Sequence, residues 1–175
     1  MISKLKNCIF RFRDRMARTP EKRAELYRDI VKMGENCEIF AGVSFGSEPY
    51  LITLGNNVKL TANVRFITHD GGMYVLRNNG FAPNADKFGK IEVGNNVFIG
   101  IESIIMPGVN IGDNVVIGCG SIVTKNIPSN TVVAGIPAKI ISSIEDYYEK
   151  NRKFIAYTKN LNMEEKKRYL LKNTN

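Results

Sequence analysis

A chain of 175 residues has room for one domain with a sizeable core, and not for two ordinary domains with a linker. With 43% hydrophobic and 24% charged residues it is neither collagen-like, low-complexity nor wholly disordered, and no run approaches the roughly 18 apolar residues of a membrane span. Its 25 lysines and arginines against 17 acidic residues give a net charge of +8, which by itself admits phosphate-rich partners or an anionic membrane face.

At the start, Arg11, Arg13 and Arg15 interrupt and follow the short apolar patch Cys8, Ile9, Phe10. That pattern lacks the unbroken apolar core of a secretory signal, so a cytoplasmic location is expected. Residues Ile2 to Met16 suit a short amphipathic helix lying on lipid or on a neighbouring subunit. Thr19-Pro20-Glu21 then supplies a capping threonine, a proline for the first helical position and an early acid. Leu26, Ile30 and Met33 recur at helical spacing, predicting a helix from Pro20 to Met33 that stops before Gly34.

From Glu35 onward the period changes. Val93, Ile99, Ile105, Ile111, Ile117 and Val123 recur every six residues, and Gly94, Gly100, Gly112 and Gly118 directly follow four of them. Residues two before these aliphatics, such as Val97, Ser103, Val109, Val115 and Ser121, are small or medium, so each hexad turns two side chains inward. The same register occurs at Met33, Ile39 and Phe45, shifts by three residues, and resumes at Leu54, Leu60 and Phe66. A short strand and a corner per hexad accounts for this, three hexads closing a triangular coil. One coil cannot bury its inner face, whereas stacked coils form a continuous aliphatic column and pair their backbone groups above and below. Gly71 to Lys90 breaks the period, is rich in glycine and asparagine, and carries Tyr74, Phe81 and Phe88; it reads as a loop thrown out of the coil, a length that usually has a functional reason.

After Pro137, Ile140, Ile141, Ile144, Tyr147 and Tyr148 predict a second helix, and Met163 to Lys172 a third, more charged one. The organisation expected is therefore a helical segment 1–34, a coil domain 35–138 with its loop 71–90, and a helical segment 139–175. The positive charge lies on the two ends: Met1 to Met33 holds 10 basic and 4 acidic residues, Lys139 to Asn175 holds 9 and 5, and the middle holds 6 and 8. No nucleic-acid motif accompanies it, so no nucleic-acid partner is expected, and the basic ends suit either a solvated helix surface or a peripheral membrane contact. Cys8, Cys37 and Cys119 are three, far apart and without a CxxC pair, which fits buried thiols in a reducing compartment. His69 is the single histidine and cannot build a zinc site, so no metal is expected.

The tandem [LIV]-G-x-x-x-x motif, closed by IMPGVNIGDNVVIGCGSIVTKNIPSNTVVAGIPAK, closely resembles the hexapeptide-repeat acyltransferases. The resemblance covers roughly Glu35 to Ile141 and is best in the branch of maltose, galactoside and xenobiotic acetyltransferases and the sugar acetyltransferases of surface-polysaccharide synthesis. It implies a mainly β fold, a left-handed parallel β-helix with flanking N- and C-terminal α-helices and one extruded loop. It also implies a homotrimer with active sites between neighbouring subunits.

His69 stands in FITHDGG, where the repeat gives way to the loop. A neutral imidazole is suited to take a proton from a hydroxyl attacking a thioester, and the resemblance implies that role for it. Asp70 beside it either orients the imidazole, meets the acceptor, or faces away and caps the turn. For the acyl donor, acetyl-CoA, the resemblance implies pantetheine contact at Cys119 and Gly120 of the IGxGS corner, with Thr124 and Lys125 of VTKN and Lys139 of the GxPAK exit on the phosphate or adenine side. Ammonium groups are flexible point charges suited to phosphate. Phe98 offers an apolar wall where many relatives carry tryptophan, and Ile101 is bulkier than the serine or alanine usual there. Cys119 as a nucleophile is rejected, because similar enzymes commonly have alanine there and attack is direct. The expected activity is O-acetylation of a small-molecule or glycan acceptor, a sugar or surface-polysaccharide precursor. N-acetylation of a nucleotide-linked amino sugar and a non-catalytic β-helix scaffold stand as alternatives, while a β-helix carbonic anhydrase fails for want of histidines.

Overall fold

The computed structural model describes residues 13–14 and 16–173, so the amphipathic start expected at Ile2 to Met16 lies almost wholly outside the described residues, as does Cys8. Helix α1 (Pro20–Tyr27) begins as the sequence predicts, with the Thr19 hydroxyl accepting from the Lys22 amide at 3.3 Å and proline in its first turn. It ends earlier than expected. Met33 serves two competing periods, and the coil takes it: β1 (Lys32–Met33) pairs with Thr53 and Leu54 instead of continuing the helix.

The coils follow in order. The first holds β1, β2 (Glu38–Ile39) and Ser44, which bridges to Arg65; the second holds β3 (Ile52–Leu54), β4 (Val58–Leu60) and β5 (Arg65–Phe66). The loop then leaves and carries a short helix of its own, α2 (Met73–Asn78), where the sequence reading expected only irregular chain. The third coil is β6 (Ile91–Val93), β7 (Val97–Ile99) and β8 (Ile104–Ile105), the fourth β9 (Asn110–Ile111), β10 (Val115–Ile117) and β11 (Ile122–Val123). Ile127 and β12 (Thr131–Ala134) lie on the fourth. Corresponding strands pair in parallel from coil to coil, which gives three sheets around one prism.

The hexad positions point inward as expected. Ile39, Leu60, Ile99, Ile117 and Val133 are fully buried on one face, and Phe66, Ile105 and Val123 on another. Each such side chain contributes about 1.5–3 kcal/mol of burial. Phe45 stacks on Phe66 with ring centroids 5.3 Å apart, and Tyr27 of α1 lies 5.0 Å above Phe45, so α1 closes the first coil. Arg23, also from α1, donates to the Ile39 carbonyl at 3.2 Å and the Ala17 carbonyl at 2.7 Å while pairing with Asp14. Inside, the Ser103 and Ser121 hydroxyls both donate to the Gly118 carbonyl, at 3.1 and 2.6 Å, which satisfies two buried polar groups.

One corner of the prism is an asparagine ladder. Asn36, Asn57, Asn96, Asn114 and Asn130 all adopt left-handed backbone, with φ of 56, 55, 55, 55 and 61°. Short polar side chains tolerate that region. The amide of Asn96 donates to Asn114 at 2.9 Å, and that of Asn114 to Asn130 at 2.9 Å. Asn114→Ala is expected to lose about 1–2 kcal/mol, from left-handed strain and the broken ladder, and Asn114→Gly less; paired thermal melts of the two variants check this.

The second expected helix, after Pro137, starts late. Lys139–Ser143 forms β13, which runs antiparallel along β12 with a break in register between Val132 and Val133. Ladder bonds to an open strand edge outweigh the helical spacing of Ile140, Ile141 and Ile144. Helix α3 (Ile144–Asn151) begins after it, capped by the Ser143 hydroxyl accepting from Asp146 at 2.9 Å, and α4 (Met163–Asn173) falls where predicted. Among the described residues no helix is long and apolar enough to cross a membrane.

Candidate functional site

The spacing between coils locates the site. Equivalent residues of the third and fourth coils are 18 apart, as Asn96 and Asn114 are, but those of the first and second are 21 apart, as Glu38 and Lys59 are. Those of the second and third are 39 apart, as Asn56 and Asn95 are. Both extensions leave from the same side of the prism, after Ser44 and after Phe66. The first is a bulged corner ending in a 3-10 turn, Pro49–Leu51; the second is the long loop.

At the neck of the loop the chain is pinned by backbone bonds. His69 and Phe88 form an antiparallel bridge, the Asp70 amide donates to the Lys87 carbonyl at 2.8 Å, and the Gly89 amide to the Thr68 carbonyl at 2.9 Å. Thr68 is buried and His69 next to it points out, with its side chain 46% exposed. The described hydrogen bonds of the imidazole are at Nδ1: Glu48 Oε2 at 3.1 Å and, more weakly, Ser47 Oγ at 3.5 Å. Glu48 comes from the bulged corner. The same Oε2 accepts from the Thr68 hydroxyl at 2.7 Å. That hydroxyl, then Ser47 and the imidazole, hold the Glu48 carboxyl below its usual range.

Asp70 takes the turn-capping course among its three possibilities. Oδ1 accepts from the Gly72 amide at 2.9 Å and Oδ2 lies 3.3 Å from Lys87 Nζ; the Gly72 amide first and Lys87 second keep its carboxyl below the usual range. The carboxylate against the imidazole is therefore Glu48, which the sequence reading did not single out. The three-residue shift in the hexad register was the signal that a corner is lengthened there.

A cleft of about 490 Å³ opens beside the imidazole, lined among others by His69, Asp70, Lys87, Phe88, Met106 and Thr124. Phe88 meets the imidazole edge-on, with centroids 6.3 Å apart. Of the residues expected at the acyl donor, Thr124 shares this cleft. Phe98, Cys119, Gly120, Lys125 and Lys139 do not line it in the single chain. Phe98 faces a second groove, of about 620 Å³, with Lys59 and Val116. Cys119 is an exposed free thiol on the corner between β10 and β11, where the Gly120 amide donates to the Ile101 carbonyl at 2.7 Å. Lys125 follows β11 and Lys139 opens β13, both exposed.

The sequence profile of the bacterial transferase hexapeptide (six repeats) matches residues 90–125. Protein CapG of Staphylococcus aureus is 54% identical over 143 residues, which cover 81% of this chain and 82% of that protein. The galactoside O-acetyltransferase of Escherichia coli K12 is 36% identical over 158 residues, 76% of each chain. Among solved structures, a galactoside acetyltransferase in complex with coenzyme A superposes with a TM-score of 0.57 at 33% identity, over 80% of this chain and 76% of that one. A maltose O-acetyltransferase from Clostridium difficile 630 does so with a TM-score of 0.53 at 31% identity, over 77% and 84%.

Proposed function

Since the chain belongs to the hexapeptide-repeat transferase family and is an acetyltransferase, we propose that it moves the acetyl group of acetyl-CoA onto a hydroxyl of a sugar or surface-polysaccharide precursor, with His69 as general base. The observation that carries this is the half-exposed imidazole on the wall of the cleft, held through Nδ1 so that Nε2 is available to an acceptor. Nε2 takes the proton of the acceptor hydroxyl as its oxygen attacks the thioester carbonyl. An amide donor steadies the oxyanion of the tetrahedral intermediate. The carbon–sulfur bond then breaks, and the imidazolium returns its proton to the departing thiolate. The reaction needs no covalent acyl-enzyme, and Cys119 has no nucleophilic part in it.

The coil of this reading is left-handed and the assembly a homotrimer. The absence of Phe98, Cys119, Gly120 and Lys139 from the lining of the His69 cleft supports the homotrimer, because a neighbouring copy can supply to one chain's cleft what that chain keeps elsewhere. Phe88 and Met106 give pantetheine an apolar wall beside Thr124, and the two lysines give the CoA phosphates their counter-charges. A cytoplasmic location goes with it, since Cys37 and Cys119 are free thiols that suit a reducing compartment.

Calorimetric titration with CoA and acetyl-CoA tests the donor half without an acceptor in hand. Saturable binding is expected, and replacing Lys125 and Lys139 together by alanine should weaken CoA about tenfold while the acceptor KM moves by less than about twofold. No binding by folded protein favours the scaffold reading. With binding in place, a panel of sugars and amino sugars separates O- from N-acetylation.

A further inference from the structure

We propose that Glu48 is the positioning residue of His69, holding the Nδ1 proton so that Nε2 is the bare nitrogen presented to the cleft. The inference rests on the reading of His69 as the general base and extends it to a residue remote in sequence.

Three observations converge on Glu48. The first is geometric: a carboxylate can only accept, so the 3.1 Å contact between Oε2 and Nδ1 requires the neutral imidazole to carry its hydrogen on Nδ1. The second concerns how firmly that oxygen is held. The Glu48 side chain is 17% exposed against 46% for the imidazole, and the hydroxyl of fully buried Thr68 donates to the same oxygen at 2.7 Å. The acid thus sits on the inner side of the ring, anchored from below, with the outer edge of the ring turned to solvent. Its carboxyl is kept below the usual range by these same donors, so it is ionised at neutral pH. The third is the chain path. Glu48 lies in the corner that makes the first two coils 21 residues apart instead of 18, directly before the 3-10 turn Pro49–Leu51. A corner of regular length leaves no residues over to reach the imidazole. The neighbouring carboxylate, Asp70, is taken up by the Gly72 amide and Lys87 and does not bond the ring.

During transfer Glu48 stays ionised. When Nε2 takes the acceptor proton, the ring becomes an imidazolium with both nitrogens protonated, and the carboxylate faces the new charge across the Nδ1 hydrogen bond. When Nε2 gives its proton to the thiolate, the ring returns to the Nδ1–H form. No proton passes to Glu48, which acts through the tautomer, the angle and the charge of the imidazole.

His69 is the single histidine of the chain, so the ring nitrogens can be read in a long-range 15N–1H correlation spectrum of the full protein without assignment. The wild type is expected to show a protonated Nδ1 and a pyridine-like Nε2. Glu48→Ala should shift the ring toward the Nε2–H tautomer and lower kcat about 100-fold, with the KM for acetyl-CoA within about twofold. Glu48→Gln keeps an acceptor oxygen but not the charge, so it should recover most of the Nδ1–H tautomer with kcat down about tenfold. A wild-type ring in the Nε2–H form overturns the proposal, and so does a folded Glu48→Ala variant with lower kcat but an unchanged tautomer. Should Glu48→Ala not fold, the spectrum and kcat of Glu48→Gln decide by the same criteria. An active His69→Ala variant defeats the general-base reading on its own, whatever the tautomer, so the two failures are distinguishable.

Discussion

His69→Ala is expected to lower kcat about a thousandfold or more and to leave CoA affinity within about twofold, measured by steady-state transfer and by calorimetry on the same preparation. The size follows from what the alanine removes. No other histidine exists to substitute, and the two neighbouring carboxylates are committed: Glu48 to Thr68 and Ser47, Asp70 to Gly72 and Lys87. Both are held below the usual carboxylate range, which makes them poor bases for a sugar hydroxyl. The fold is expected to survive, because the neck of the loop is pinned by backbone bonds at residues 68 to 70 and 87 to 89 and not by the imidazole. Near-normal turnover by the variant ends the general-base reading.

The largest effect on stability is expected from Gly100→Val. A Cβ at Gly100 would lie 2.5 Å from the Cys119 amide nitrogen and 2.8 Å from the Cys119 Cα, in the backbone of the next coil, where no side chain can swing aside. The two coils are also tied there, by the Gly100 amide donating to the Ile117 carbonyl at 2.8 Å and the Gly120 amide donating to the Ile101 carbonyl at 2.7 Å. Forcing them apart should cost about 3 kcal/mol, a fall in Tm of about 10 °C at the 2–4 °C per kcal/mol of a chain this size. A melt within about 2 °C of the wild type contradicts the close approach of the coils.

That glycine also explains why so much of the fold was legible. A coil of three strands and three corners imposes the period of six on both the inward aliphatics and the residues with no room for a Cβ, and Ile99-Gly100 displays both constraints side by side. His69 was legible for a related reason, since it stands where the period stops. Glu48 was not: it meets the imidazole across 21 residues, in a corner whose only trace is a shift of register. Met33 and Ile140 misled the helix boundaries because their spacing satisfies a helix while their backbone groups pair with β3 and β12. The separation of Phe98 and Lys139 from the His69 cleft is a property of three dimensions that no spacing encodes.

A stack of parallel coils is also a template for its own continuation, because each open edge presents the bonding pattern that the next coil would use. On the six-stranded sheet that pattern is occupied at the first edge. The carbonyls of Leu60, Ile99 and Ile117 each accept from the preceding coil, at the amides of Phe40, Thr61 and Gly100; Ile39 stands in the same position with no coil before it among the described residues, and its carbonyl receives the Arg23 guanidinium. At the other edge β13 crosses in the opposite sense and with broken register, so that a parallel coil finds no matching ladder. On that sheet, continuation of the ladder by a further coil is thereby opposed at both ends.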